Sequence, residues 1–281
     1  MADRAPRPAR SEDGPRPARP EDGIAWITGA SSGIGWELAR RLLDEGWTVA
    51  LTARREAELQ ALAHRYPADR ALVIAADVTD TAAMAAAQAR IEAETGRPVA
   101  LAIANAGAGA RMGMADFDAA LFRRLIEVNV LGAANMLAAV LPGMRARQCG
   151  QIAVVASVAG YLGLPRASAY GASKAALIHM ASSLRFEGRQ TGILVQVINP
   201  GFVATPMTAA NSAPKPFLLS TEAAAARIQR GLAGTGFEIA FPWPIVWLLK
   251  GARLLPWRLF FALGGLARRR TGRHGGVGPC P

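Results

Sequence analysis

GIAWITGASSGIGWELARRLLDEG, residues 23–46, changes character twice in a short space. An apolar run of strand length comes first, and Gly29, Gly33 and Gly35 then break it. After them Leu38, Leu42 and Leu43 recur at helical spacing. Without Cβ atoms the three glycines let the backbone turn tightly and approach a bound group at the helix N-terminus. Unpaired amides there favour an anion such as a pyrophosphate. Ser31, Ser32 and Ile34 lie in the same turn and join the glycines as candidate contacts. The spacing is G-x-x-x-G-x-G. A glycine triplet alone would suit any tight turn, but at the first strand-to-helix junction it points to a dinucleotide.

Outward from this stretch the alternation continues. WTVALTARR (47–55), ALVIAADVTD (71–80) and PVALAIANAG (98–107) are strand-like, and helical stretches separate them. GQIAVVASVAG (150–160) and GILVQVINPG (192–201) follow, each preceded by a helical stretch. Apolar strands alternating with longer helices predict an α/β fold with a doubly wound parallel sheet of the Rossmann type. The expected organisation is a disordered Pro/Arg-rich tail over 1–22, a single catalytic domain over 23–241 and an apolar, basic extension over 242–281. In the tail, five prolines, five arginines and five acids leave almost nothing to bury.

At the nucleotide end, an acid closing the second strand would grip the ribose diol of NAD. Here Ala53 holds that position, and Arg54 and Arg55 follow. Arginines there suit a 2′-phosphate, so the expected cofactor is NADP(H) in preference to NAD(H). Two solvated arginines opening a helix are the other reading. Asp77, with Val78 beside it, ends the third strand. Its carboxylate either accepts from an adenine amino group or caps the following helix. Asn105, Ala106 and Gly107 close the fourth strand, where small residues would let the chain pass beside the adenosine ribose.

At the other end, Tyr170 and Lys174 stand four residues apart in ASAYGASKAALIHMASSL (167–184), on one helix face. A phenol titrates near 10, too high for a base near neutrality, and an adjacent ammonium would lower it. Ser157 ends the preceding strand, on the side of the sheet where such folds bind ligands.

In this order, the glycine turn, NAG, the strand-end serine, Y-x-x-x-K and NPG resemble the short-chain dehydrogenase/reductase family over roughly residues 23–240. The resemblance implies a carbonyl or alcohol substrate, with Tyr170 as general acid/base and Ser157 orienting the carbonyl. Lys174 would bind the nicotinamide ribose and lower the tyrosine pKa. Asn129, in VNVLG, would hold a water relaying protons to the lysine. Pro200, Gly201, Val203 and Thr205 would lie along the nicotinamide carboxamide, and Arg54 marks members that prefer NADP. The family motif often reads N-N-A-G, and Ala104 replaces its first asparagine, which puts a local hydrogen bond in doubt. A homo-oligomer paired through the Tyr170 helix and its predecessor is also implied.

Family resemblance makes 202–220 the substrate lid. Met207, Phe217, Leu218 and Leu219 either face a lipophilic substrate or pack on the body. Beyond Phe241 the chain has seven basic residues and no acid, out of a net charge of +11. The remainder is only mildly basic, which argues against nucleic acid as a partner. Lys250, Arg253 and Arg258 interrupt every window long enough to span a bilayer. Tryptophans, apolar residues and cations over 242–273 suit an anionic membrane surface, Lys250 and Arg253 forming a cationic edge. An arm over the pocket or a partner subunit is the alternative. Cys149 and Cys280 are too few for a disulfide framework, and His64, His179 and His274 suggest no metal site. The expected location is cytoplasmic, at a membrane surface if the extension binds one. A non-catalytic NADP-binding regulator or scaffold is the competing function, although it would need neither Ser157 nor the phenol.

Overall fold

The computed structural model describes residues 14–209 and 215–270, with side chains as far as Gly264 in the last helix. Residues 1–13 of the expected tail, part of the lid, His274, Cys280 and the end of the basic extension lie outside the described residues.

Seven strands form one sheet in the order β3-β2-β1-β4-β5-β6-β7, and every pairing is parallel. They are β1 Ile24–Thr28, β2 Val49–Ala53, β3 Ala71–Ala75, β4 Val99–Ala104, β5 Gly150–Val155, β6 Ile193–Pro200 and β7 Glu238–Phe241. β1, β2, β4, β5 and β6 are buried along their whole length. That is why they read as continuous apolar runs instead of alternating ones. β7 adds a strand to the six legible in the sequence; it is short and only half buried.

Both faces of the sheet are covered. α1 Gly33–Asp44, α2 Glu56–Ala63 and α8 Thr221–Leu232 close one side. α3 Thr81–Thr95, α5 Gly132–Arg147 and α6 Ser168–Thr191 close the other. α4 Ala119–Ile126 runs through a π-helical turn, Glu127–Leu131, into α5. The joined helix Ala119–Arg147 is long and apolar enough to cross a membrane by composition, yet it packs against α3, α6 and β4. The order of strands reverses between β1 and β4. The loops at their carboxyl ends diverge there and leave a crevice.

Part of the expected tail is packed. Arg16 pairs with Asp22 through Nη1 and Nη2, at 2.7 and 2.6 Å. Ala18 donates its amide to Gln151 Oε1 at 2.8 Å, and Arg97 bonds the Pro20 carbonyl. Apolar content alone does not foretell this, because the segment is held by its own Arg16–Asp22 pair, by Gln151 of β5 and by Arg97 in the turn before β4.

The remaining helices are α7 Pro206–Ala209, α9 Trp243–Arg253 and α10 Trp257–Arg270.

Candidate active site

A cleft of about 470 Å³ opens at the carboxyl ends of the strands, along the β1/β4 reversal. Gly29, Ser31, Ser32, Gly33, Ile34 and Gly35 form one wall. Gly29 has φ +71°, and a Cβ there would lie 2.8 Å from Ala106 Cα. At Gly35 a Cβ would meet Asn105 Nδ2 and Gly29 O, each at 2.3 Å. No side chain other than hydrogen therefore fits at Gly35. The Ser32 side chain makes no capping bond at the start of α1, so the first-turn amides are left to an outside acceptor.

Asn105 does more than leave room. Its Nδ2 donates to Thr28 O at 2.9 Å and Gly29 O at 3.3 Å. Thr28 Oγ1 in turn accepts from the amides of Asn105 and Ala106, both at 3.2 Å. These bonds fasten the glycine turn across the strand reversal. Thr28 was not singled out in the sequence; its one signal is its place before Gly29. Ala104 lies buried in the core with no polar group to satisfy.

Farther along, Arg54 Nη1 lies 3.9 Å from Asp77 Oδ2. Arg55 donates to Ser31 Oγ at 3.0 Å and sits 3.4 Å from Glu58. Asp77 does not cap the next helix: Asp80 does, accepting from Ala83 N at 2.9 Å. Asp77 instead takes the amide and hydroxyl of Thr79, each at 2.9 Å. Those bonds, the backbone one foremost, hold its carboxyl below the usual range. Val78 lines the cleft as well.

The chemical end is built from three elements. Ser157, buried just beyond β5, accepts from Ala159 N and donates to Pro200 O, both at 3.2 Å. Half-buried Tyr170 and buried Lys174 come from α6. Lys174 Nζ donates to Val155 O at 2.8 Å and lies 5.8 Å from the centre of the Tyr170 ring. Desolvation pulls the ammonium down to about 8. Tyr170 does not show the lowered pKa expected from the sequence. Burial pushes the phenol up, and the bond to Ser157 opposes it without reversing it. Both groups are moved toward their neutral forms because each is out of water.

Asn129 is fully buried in the π-helical turn. It accepts from Ala108 N at 2.7 Å and donates to Ala108 O at 3.0 Å and to Ser173 Oγ at 2.8 Å. The Ser173 hydroxyl in turn donates to the Tyr170 backbone carbonyl at 2.8 Å. Gly107 sits between, where a Cβ would be 3.3 Å from Asn129 Oδ1 and 3.5 Å from Lys174 Nζ.

The chain matches the family model described as short chain dehydrogenase over residues 23–216. It belongs to the short-chain dehydrogenase family. An uncharacterized oxidoreductase of Myxococcus xanthus is 39% identical over 240 residues, which is 85% of this chain and 94% of that one. A solved short-chain dehydrogenase of Streptomyces avermitilis superposes with a TM-score of 0.73 at 31% identity, covering 89% of this chain and 97% of its own. An actinorhodin polyketide ketoreductase variant, solved with NADPH, does so with a TM-score of 0.73 at 27% identity, covering 82% and 99%.

As a short-chain dehydrogenase the protein is a nicotinamide-dependent oxidoreductase. Its cleft suits a dinucleotide on its own evidence: a cradle closed to any Cβ at Gly35, free amides at the head of α1 and cations at the far end. Pro200, Gly201, Val203 and Thr205 line the chemical end, as do Met207 and Thr208. Of the four apolar lid residues only Met207 reaches the cleft. A Cβ on Gly109 would meet Met207 Sδ at 2.8 Å and Tyr170 Cδ2 at 3.7 Å. Phe217, Leu218 and Leu219 line a separate groove beside β7, where Leu219 is held by backbone hydrogen bonds to Phe202 and Ala204.

Proposed function

We propose that this short-chain dehydrogenase is an NADP(H)-dependent enzyme interconverting a lipophilic carbonyl compound and its alcohol. The observation that carries the reading is continuity. One cleft runs from Arg54 and Arg55, along the glycine turn, to Ser157, Tyr170 and Lys174.

Arg54 and Arg55 would hold the 2′-phosphate, and the amides at the head of α1 the pyrophosphate. Asp77 and Val78 would meet the adenine, and Asn105 to Gly107 the adenosine ribose. Lys174 would bind the nicotinamide ribose, with Pro200 to Thr205 along the carboxamide. The bound cofactor supplies or accepts the hydride. In reduction, the Ser157 hydroxyl donates to the carbonyl oxygen and the Tyr170 phenol gives its proton to the oxygen as negative charge develops there. In oxidation, Tyr170 takes that proton back. The nearby Lys174 ammonium favours the phenolate that remains after reduction, and Asn129, beside Gly107, would position the water that restores the proton.

Met207, which lines the same cleft as Tyr170, supports an apolar substrate. The same reading places the protein in the cytoplasm as a homo-oligomer. It also brings the basic, tryptophan-rich residues 242–273 to an anionic membrane surface. NADPH consumption against aldehydes and ketones of increasing chain length tests the activity. Turnover that rises with chain length is the expected result, and no turnover with any of them would overturn the assignment.

A further inference from the structure

The C-terminal extension is fastened to the body of the protein. Lys250, expected to be part of its cationic edge, is not available: it bonds Glu238, which also takes bonds from Tyr161 and Asn199. Ile245 and Val246 bury against Val158 and Tyr161. α9 is therefore clamped to the body by one face, and the direction of its other face is set. That outer face carries Trp243 and Trp247, one turn apart and 72% and 68% exposed. Beyond it, Trp257 stacks on Phe261 at 5.7 Å in α10, with both side chains 66% exposed.

The apolar surface does not stop at the extension. Trp243 shares a groove of about 750 Å³ with Phe217, Leu218, Arg227 and Arg230. Phe217 and Leu218 are exposed, and both arginines come from α8. Glu238, the acid in the groove, is already neutralised by Lys250. A short ladder, Ala204 N to Leu219 O at 2.8 Å and Leu219 N to Phe202 O at 3.0 Å, ties this groove to the chain that continues into the cleft rim at Thr205.

Resting on the membrane reading, we propose that the docking face is composite. The α9–α10 tryptophans and the Phe217–Leu218 edge enter the interface of an anionic bilayer together, and Arg227 and Arg230 meet lipid phosphates. Charge selects this occupant. No acid follows Phe241, so a two-fold dimer through this face would set Arg253 and Arg258 of two copies near one another with no carboxylate from the extension between them. A short helix such as α10, with Trp257, Leu259, Phe261 and Leu263 facing water, is marginal without a surface to cover it. Tryptophan with cations is the composition that settles at headgroup depth. Docked in this way, the cleft rim lies on the far side of one short ladder from the lipid, a direct route for a substrate dissolved in the bilayer.

The test is co-sedimentation of the full chain with phosphatidylcholine vesicles with and without 30% phosphatidylglycerol, in the range of ~0.1 M salt. Binding at least tenfold tighter to the anionic vesicles is expected. Arg227→Gln with Arg230→Gln should weaken it by on the order of fivefold per charge, and Phe217→Ser with Leu218→Ser should weaken it further. Turnover of a water-soluble carbonyl should be unchanged. If deleting 242–281 abolishes binding while the groove variants bind like wild type, the extension reading stands and the composite face is wrong. If wild type ignores the vesicles, or self-associates through Trp247 instead, both are wrong. Quenching of wild-type tryptophan fluorescence by brominated lipid tests contact without any variant. Trp26 and Trp47 are buried and Trp36 is half-buried against the core with Arg65 over its ring, so strong quenching has to come chiefly from the extension, and its absence overturns the docking.

Discussion

Lys174 Nζ is buried and donates to the carbonyl of Val155 at 2.8 Å. The protein thus keeps an ammonium out of water at the chemical end of its cleft. Desolvation moves that group from 10.5 to about 8. Below pH 8 the charged form costs the folded state roughly 3 kcal/mol. Between pH 8 and 10.5 the unfolded chain holds the extra proton, so this penalty fades as pH rises. Lys174→Met should therefore be inactive and yet melt higher than wild type at pH 6 to 7, although Val155 O loses its partner. The gain should shrink toward pH 10. Thermal melts across that range check it, and a difference that does not vary with pH would contradict the charge argument.

Tyr170→Phe keeps the ring beside Gly109 and removes only the proton donor. Turnover should fall by about 10²–10⁴-fold, the usual worth of a positioned acid/base, while NADPH affinity holds. Retained turnover would remove the phenol from the mechanism.

Arg54 faces Asp77 at a loose 3.9 Å, which leaves its guanidinium free to pair more closely with a phosphate. Arg54→Ala should cut the ratio of NADPH to NADH affinity by about ten- to a hundredfold, the value of one charge-assisted bond. Fluorescence titration with both cofactors gives the ratio directly. An unchanged ratio would assign the 2′-phosphate elsewhere.

Asn105→Ala would leave Thr28 O and Gly29 O without their side-chain donor. A loss of about 1–3 kcal/mol in stability is expected, with a higher KM for the cofactor as the glycine turn loosens. If neither the melting temperature nor that KM moves, the clamp has no role.

Phe186 is 84% exposed on α6, and Leu131, in the turn ahead of α5, is 49% exposed. Pairing through these helices would cover both. Phe186→Ser should weaken self-association in sedimentation velocity runs and leave the cofactor cleft unaltered.

Much of the site could be read from residue order, for local reasons. A glycine needed for close approach, an i, i+4 pair on one helix face and a buried strand of continuous apolar residues each depend on near neighbours in the chain. Gly35, Tyr170 with Lys174, and β5 are such cases, and the structure places all of them where the spacing implied.

The rest depended on which segments meet. Thr28 and Asn105 are 77 residues apart, and they touch only because β4 pairs with β1 at the sheet's reversal. Asp77 yielded the capping role to Asp80 through a turn whose geometry the residue types left open. Lys250 looked like a free surface cation until β7 brought Glu238 beneath α9. The direction of the Tyr170 shift also belongs to the fold: spacing puts an ammonium nearby, but only packing decides how much water both groups lose. Sequence determined six of the seven strands, the glycine turn and the placing of Tyr170 and Lys174 on one helix face, because short-range sterics and periodicity specify them. Tertiary structure decided their partners, their charges and the face turned outward, because desolvation and long-range pairing exist only once the chain has closed on itself.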